Sequence, residues 1–192
     1  MQKIISALVF AVLPLSAMAA DSFSIDPLHT FPNFTVDHLG FSTMHGRFGK
    51  TSGKLTVDQA KHTGSVDIVI DASSVSTGFI KRDDHLRSPD FLNAAEFPDI
   101  TYKSTKVTIK GNPEEHATAV VDGNLTISGV TKPVTLTVSR MHCGPNPMKQ
   151  DQYRCGFDAH AKIMRSDFGV KYGLPAIGDE MNIDLEVESV RD

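Results

Sequence analysis

The stretch that decides the fold runs from Ser73 to Ser104 and reads SSVSTGFIKRDDHLRSPDFLNAAEFPDITYKS. Most of the remaining chain alternates apolar and polar residues with the period of a β-strand, whereas this stretch does not. Ser88-Pro89-Asp90 is typical of a helix start, because serine caps free amides, proline suits the first turn and a carboxylate complements the helix dipole. Pro98 disfavours helical geometry at the residue before it. The sequence therefore predicts one short helix over residues 88–97.

The predicted helix carries its apolar residues on one side. Phe91, Leu92 and Ala95 lie three to four positions apart, which places them on the same face. A helix of about two turns is not stable alone in water, so this face must pack against something else. We expect it to lie across one end of a surrounding sheet or against its mouth. The long, polar stretch from Ser76 to Arg87 is expected to form a loop beside it.

The rest of the chain predicts antiparallel strands that each bury one face. A change of parity near Thr105 predicts a β-bulge, and Asp122-Gly123 indicates a second one. About eight such strands form either a sandwich or a closed barrel, and periodicity alone does not decide between them. The apolar rows are Phe34-Val36-His38, Val66-Ile68-Ile70, Ala117-Ala119-Val121-Leu125-Ile127, Val134-Leu136-Val138, Tyr153-Phe157-Ala159-Ala161-Ile163 and Met181-Ile183-Leu185-Val187.

The beginning of the chain is typical of an export signal. Lys3 precedes the apolar run Ile4–Leu15, and the small residues of Ala17-Met18-Ala19-Ala20 form a cleavage site. The run is too short to cross a bilayer, and an uncleaved anchor is the alternative. We expect residues 1–20 to be a signal peptide and residues 21–192 to be a single exported domain. The formal net charge of −4 for the full chain and the lack of basic clusters argue against nucleic-acid binding.

The two cysteines flank a turn-rich segment. Cys143 and Cys155 stand on either side of Gly144-Pro145-Asn146-Pro147, and each adjoins a strand-like run. In an oxidising compartment two such cysteines usually pair, so we expect a disulfide across the end of a hairpin. The alternative is a copper site built from Met141, His142, Cys143 and Met148.

Signals for catalysis are weak. The sequence contains no Gly-x-Ser-x-Gly elbow, no His-Glu-x-x-His pair and no Cys-x-x-Cys motif. His38 follows an apolar row, where a hydrogen-bonded core histidine is the plain interpretation and a ligand contact is the alternative. The polar run Arg82–Arg87, which includes His85, is typical of a solvated loop or a helix flank. We therefore expect that the protein is not an enzyme.

A series of short motifs extends over nearly the whole chain after residue 20, and their order resembles the YceI-like family, polyisoprenoid-binding proteins of the bacterial periplasm. Each motif is weak alone, but their order and coverage make the resemblance specific. The motifs are Ser24–Thr30, Phe34–His38, Gly46–Phe48, Arg82-Asp83, His85-Leu86, Asp90–Asn93, Phe97–Ile100, Gly123–Ile127, Gly129–Val134, Phe168-Gly169 and Gly178–Glu180.

The resemblance implies an all-β fold, an antiparallel eight-stranded lipocalin-like barrel with one short helix. It also implies a periplasmic carrier whose interior holds an isoprenoid lipid, such as a polyprenyl lipid or an isoprenoid quinone, with no cofactor beyond this ligand. The alanines of the strand rows are small and would leave room for the lipid tail, whose polar head would lie nearer the mouth. The cysteine pair departs from the general family pattern. The expected ligand contacts are Phe34, Val36, His38, Phe91, Ala119 and Ala161.

Two interpretations of function stay open at this level. The first is the lipid carrier, with a transient membrane contact and a homodimer as open questions about its partners. The second is an enzyme or a redox or metal-binding module that uses His38, His85 or the Met141-His142-Cys143 cluster. Organic extraction of the purified protein would release an isoprenoid in the first case, and elemental analysis would find copper or zinc in the second.

Overall fold

A computed structural model describes residues 20–192, so the predicted signal peptide lies outside the described residues except for Ala20. The described chain is mainly β-structure, with one α-helix and two 3-10 turns. The elements are β1 (Asp21–Ile25), β2 (Phe31–His38), β3 (Ser42–Phe48), β4 (Thr51–Asp58), β5 (Thr63–Asp71), a 3-10 turn (Ala72–Ser74), β6 (Val75–Ser76), α1 (Ile80–Arg87), β7 (Asp99–Asn112), β8 (His116–Ile127), β9 (Val130–Asn146), β10 (Lys149–Met164), a second 3-10 turn (Arg165–Phe168) and β11 (Ile177–Arg191).

The strands close into an eight-stranded antiparallel barrel, as predicted, and not into a sandwich. β1 and β2 together act as the first barrel strand, because β11 pairs with both of them. β3 and β4 act in the same way as the second, since β3 pairs with β2 and β4 pairs with β1. β5, β7, β8, β9, β10 and β11 follow in chain order, each beside the next. The short β6 pairs with the end of β3.

One end of the barrel is filled by packed side chains. Phe23 and Met141 are almost completely buried there, and the Phe23 ring packs against Tyr153 with 6.4 Å between ring centroids. Cys143 and Cys155 are directly opposite in the register of β9 and β10 and form a disulfide. The predicted disulfide is confirmed. We call this end, which also holds the β7–β8 and β9–β10 turns, the closed end.

The β-bulge predicted near Thr105 is confirmed. Ser104 pairs with Gly123 and Lys106 with Asp122, so Thr105 is the extra residue in β7. The prediction of a second bulge at Asp122-Gly123 is wrong, because β8 runs through this position without interruption. Glycine is needed at this position because of close packing: a Cβ atom on Gly123 would lie only 2.5 Å from a ring carbon of Tyr102.

The helix predicted over residues 88–97 is wrong, and so is the loop predicted over Ser76–Arg87. The helix is α1, which ends where the prediction began. Ser88 is its C-cap, with its backbone N–H and its hydroxyl both donating to the His85 carbonyl at 3.1 and 2.8 Å. Pro89 then acts as the stop that often follows a C-cap. Beyond it the chain makes irregular turns, with Asn93 in the left-handed region at φ 46°.

α1 has no apolar face, so polar contacts hold it in place. The carboxylate of the buried Asp83 accepts hydrogen bonds from the backbone N–H of Thr77, at 2.8 Å, and from its hydroxyl. Arg82 donates to the same Thr77 hydroxyl at 2.7 Å, and Arg87 donates to the carbonyl of Ser73 at 2.7 Å. The helix is therefore fixed to the segment just before it, at the end of the barrel opposite the closed end.

Candidate ligand-binding cavity

The barrel encloses a cavity of about 450 Å³. Its walls are the inward faces of the strands, and most of the lining side chains are Val, Ile, Leu, Phe and Met. Ligand sites in proteins commonly measure about 300–1,000 Å³ and are mainly apolar with a few polar groups. The cavity therefore has the size and character of a site for an elongated apolar molecule.

The structure brings all six predicted contact residues to this cavity. Phe34 and Ala119 are buried in its wall, whereas the other four are half-buried. Phe91 reaches it from the irregular segment after α1, and so it lines the cavity without belonging to a helix. Contact with a ligand stays a prediction for each. The six are Phe34, Val36 and His38 on β2, Ala119 on β8, Ala161 on β10 and Phe91.

The cavity reaches solvent at the end where α1 lies. Tyr172 lines the cavity and is 50% exposed, and the side chain of His85, which also lines it, is 43% exposed. The rings of His85, Phe91 and Tyr172 pack together, with centroids 5.0 to 5.2 Å apart. We call this end the mouth.

The charged groups that line the cavity are all basic. Arg82 and Arg165 are among the lining residues described, together with His38 and His85, whereas no aspartate or glutamate is. Arg165 is buried in the second 3-10 turn and donates hydrogen bonds of 2.8 to 3.0 Å to four backbone carbonyls. Desolvation lowers the pKa of Arg165 from its ordinary value, while the nearby Asp179 acts in the opposite direction. Arg165 is thus committed to the backbone of the mouth, whereas Arg82 hydrogen-bonds only to Thr77 among the described residues, through Nε and one terminal nitrogen, and can donate to a polar head group as well.

Sequence reasoning missed three of the residues at the mouth. Arg82 lies on α1, which was predicted as a loop, and Arg165 and Tyr172 lie in the turn and loop between β10 and β11. Strand periodicity locates side chains only within regular strands. Two signals were available: the polar pair Arg165-Ser166 just after the apolar row of β10, and the Arg82-Asp83 motif.

The Met141-His142-Cys143 cluster does not assemble into a metal site. Successive residues of a strand face opposite sides, so Met141 is buried inside the barrel while His142 is exposed outside. Cys143 is bound in the disulfide, and Met148 is exposed. The Nδ1 atom of His142 lies 3.0 Å from the carbonyl oxygen of Glu115.

A second group of possible ligands lies outside the barrel. Oxygen or nitrogen atoms of Asp26, His29 and Glu188 come within 4.8 Å of one another. Arg154 makes ion pairs with both carboxylates, at 2.6 Å to Asp26 and at a shorter distance to Glu188. This guanidinium already supplies the positive charge that a metal ion would bring.

The arrangement around the mouth histidine is not that of a nucleophile and its base. His85 Nε2 lies 2.8 Å from a carboxylate oxygen of Asp90, and its ring packs on Phe91 and Tyr172. Within residues 20–192, no hydroxyl or thiol side chain hydrogen-bonds to the ring. A catalytic histidine of the nucleophilic type needs such a partner within reach. No helix in the described part of the chain is long and apolar enough to cross a bilayer.

Comparison with known proteins gives a consistent family match. Residues 23–189 match the YceI-like domain. The chain is 38% identical to a UPF0312 protein of Shewanella baltica over 195 residues, covering 99% of this chain and 98% of the other. It is 39% identical to a UPF0312 protein of Pseudomonas aeruginosa over 178 residues, covering 91% and 89%.

Solved structures share the fold. BcnA of Burkholderia cenocepacia superimposes with a TM-score of 0.69 at 25% identity, covering 85% of this chain and 98% of that one. A polyisoprenoid-binding domain from Saccharophagus degradans, implicated in plant cell wall breakdown, gives 0.65 at 19% identity, covering 88% and 98%.

Proposed function

This chain belongs to the YceI-like family, and on that premise we propose that it carries an isoprenoid lipid in its barrel without performing chemistry on it. The ligand class is an isoprenoid quinone or a polyprenyl lipid. The observation that carries the proposal is a cavity of about 450 Å³ with apolar walls and with basic and polar groups gathered at its mouth.

Burial of the tail would supply most of the binding energy. Removing each CH₂ group from water contributes about 0.8 kcal/mol, so a tail of several isoprene units needs few polar contacts. Affinity should therefore grow with tail length and depend less on the head group. The alanines at 119 and 161 support this proposal, because both line the cavity and their small side chains leave room along the barrel axis.

The head group would lie at the mouth, near Arg82, His85 and Tyr172. Carbonyl or phosphate oxygens fit there, because the Arg82 guanidinium faces the cavity and no aspartate or glutamate among the described residues lines it. The nearby carboxylate of Asp90 is hydrogen-bonded to His85. The closed end offers no such groups, since Phe23, Met141 and the disulfide fill it.

The periplasm is the proposed location. A disulfide persists in oxidising compartments such as the periplasm, which supports export of the chain after removal of residues 1–20. A carrier of an insoluble lipid must also collect and release it, so a transient membrane contact is part of the proposal.

Filling the cavity tests the proposal. Ala161→Phe adds a large side chain to the wall, and its outward neighbour His160→Phe adds the same ring outside the barrel. Equilibrium dialysis should show that Ala161→Phe weakens binding of a long-chain isoprenoid quinone by about tenfold or more, because excluding each CH₂ costs about 0.8 kcal/mol. A short-chain analogue should bind nearly as before, and His160→Phe should match the wild type with both ligands.

The control for folding is the thermal midpoint of each variant, with Ala161→Leu as the milder substitution if phenylalanine prevents folding. Unchanged binding of both quinones by a folded Ala161→Phe variant would show that the tail does not pass through the barrel.

A further inference from the structure

Large apolar side chains are exposed mainly at the mouth. Eight large hydrophobic residues are exposed among those that the structure describes, and six of them lie at the mouth end of the barrel. Four of the six belong to two segments, the β2–β3 turn and the start of α1, which respectively precede β3 and follow β6, two paired strands on the same side of the barrel. We call these four, Leu39, Phe41, Phe79 and Ile80, the mouth patch.

The side chains of the mouth patch are large and apolar, yet they are strongly exposed to solvent. Phe41 is 90% exposed and Ile80 is 65% exposed. Single exposed apolar residues need no explanation, but a group of them on one end of a protein commonly marks an interaction surface. None of the four belongs to the buried core clusters of the barrel.

Both halves of the patch adjoin the cavity opening. The backbone N–H of Leu39 donates to the carbonyl of Ala176 at 2.9 Å, in the loop that carries Tyr172. The guanidinium of Arg82, which lines the cavity, lies 5.9 Å from the centroid of the Phe79 ring. A surface that touched the patch would therefore face the opening directly.

Three segments at the mouth carry only basic charged residues. Segments 39–48, 76–82 and 170–177 contain four cationic residues and no aspartate or glutamate, although the chain has a formal net charge of −4. Four aspartates lie near these segments and each already has a partner: Asp37 accepts the N–H of Gly40, Asp83 is buried against Thr77, Asp84 pairs with Arg87 and Asp90 lies against His85. The cationic residues are Arg47, Lys81, Arg82 and Lys171.

We propose that the mouth patch docks the barrel, mouth first, on the surface of an anionic phospholipid membrane. Phe41, Phe79 and their aliphatic neighbours would enter the boundary between head groups and acyl chains, while Lys81 and Lys171 would contact lipid phosphates. The inference rests on the proposed carrier function, because docking would let the lipid tail pass from the bilayer into the cavity without crossing water. Apolar insertion and basic attraction are the two forces that usually hold peripheral proteins at a membrane.

Vesicle flotation tests the proposal on the purified mature protein. The wild type should float with vesicles of phosphatidylethanolamine and phosphatidylglycerol. The double variant F41S/F79S should lose about tenfold or more in partitioning, because two exposed rings no longer leave water. The control is L28S/M148S, which removes two other exposed apolar side chains, 76% and 96% exposed, that lie away from the mouth. It should float like the wild type.

The charge is tested separately. The variant K81E/K171E should partition about tenfold or more weakly to the anionic vesicles, and this loss should shrink in high salt or with phosphatidylcholine vesicles. Equal partitioning of the wild type and F41S/F79S would overturn the proposal. So would a wild-type dimer in light scattering that F41S/F79S converts to a monomer without any flotation, since the patch would then bind a second copy.

Lipid content separates this proposal from the carrier function. Native mass spectrometry should find the isoprenoid in F41S/F79S after loading in detergent, because the cavity wall is unchanged. A wild type that holds lipid yet fails to float would contradict the docking proposal but not the carrier function. A wild type that takes up no lipid in detergent would contradict the carrier function, whatever its behaviour with vesicles.

Discussion

Gly123 makes room for Tyr102 inside the barrel. The Tyr102 hydroxyl lies 2.9 Å from the carbonyl oxygens of both Val121 and Val134, so this one side chain joins β7 to β8 and β9 from within. Burial, with a smaller contribution from the charge of Asp122, raises the pKa of Tyr102 above its ordinary value. The phenol is therefore neutral and able to donate over the whole working range of pH.

We expect Gly123→Ala to lower the free energy of unfolding by about 1–3 kcal/mol, because the new methyl group overpacks against the Tyr102 ring. Gly156→Ala is the matched control, since a Cβ there would have only the Val187 carbonyl oxygen nearby, at 3.8 Å. Urea unfolding of both variants checks the prediction. Equal losses in the two would mean that the ring does not occupy the space beside Gly123.

Asp179 connects β11 to the turn that carries Arg165. Its carboxylate accepts hydrogen bonds from the hydroxyl and the backbone N–H of Ser166, at 2.6 and 2.8 Å, which hold the pKa of Asp179 below its ordinary value of 3.8. A lowered pKa in the folded state adds stability at pH above the unfolded value, and this contribution disappears as the pH falls through the folded pKa.

Asp179→Asn should therefore be less stable than the wild type at neutral pH and should lose less stability between about pH 5 and pH 2. The comparison is the urea midpoint at each pH. Asp167→Asn serves as the control, because its exposed carboxylate accepts no hydrogen bond from the residues described. A parallel acid-side decline in the wild type and Asp179→Asn would contradict this role of the carboxylate.

At the scale of elements, the β9–β10 hairpin is held by the disulfide near the closed end. The two cysteines are separated by 12 positions in the sequence. Replacing both with alanine should lower the free energy of unfolding by about 3 kcal/mol, chiefly because the unfolded chain regains freedom. Chemical unfolding with and without a reductant checks this. The reductant should shift the wild-type midpoint and leave the double variant unchanged; a shift in both would point to another cause.

The strands and the helix differ in how well their sequences predict them. Rows such as Met181-Ile183-Leu185-Val187 identify strands because one face of each strand is buried and the other is exposed to solvent. The helix was misplaced because Ser88 and Pro89 suit both the start of one helix and the end of another. α1 itself has no apolar stripe, since hydrogen bonds from Thr77 to Asp83 fix it. Such a helix leaves no periodic signal in the sequence.

The ligand site was only partly predictable for a related reason. Strand parity correctly places Val36, Ala119 and Ala161 on the inside of the barrel, because a side chain in a strand has only two faces to choose from. Parity does not say whether the interior is filled or hollow. For Arg165 the sequence offered only the polar pair Arg165-Ser166, because the residue lies in a turn whose position depends on how β10 and β11 leave the barrel.

At the scale of the whole molecule, the barrel is a container with one packed and one open end. Phe23, Met141 and the disulfide fill the closed end, and the mouth carries the basic lining and the exposed patch. This difference between the two ends predicts how a lipid is oriented inside the barrel, and it also predicts the end by which the protein would approach a membrane.

The most direct test of the lipid carrier is extraction of the natural ligand. The protein would be exported from a bacterial host, purified without detergent and extracted with organic solvent, and the extract quantified by mass spectrometry against protein. We predict close to one isoprenoid chain per barrel in the wild type and much less in Ala161→Phe, with His160→Phe like the wild type. Folded wild-type protein that releases no isoprenoid, or that releases equal amounts from Ala161→Phe, would contradict the account.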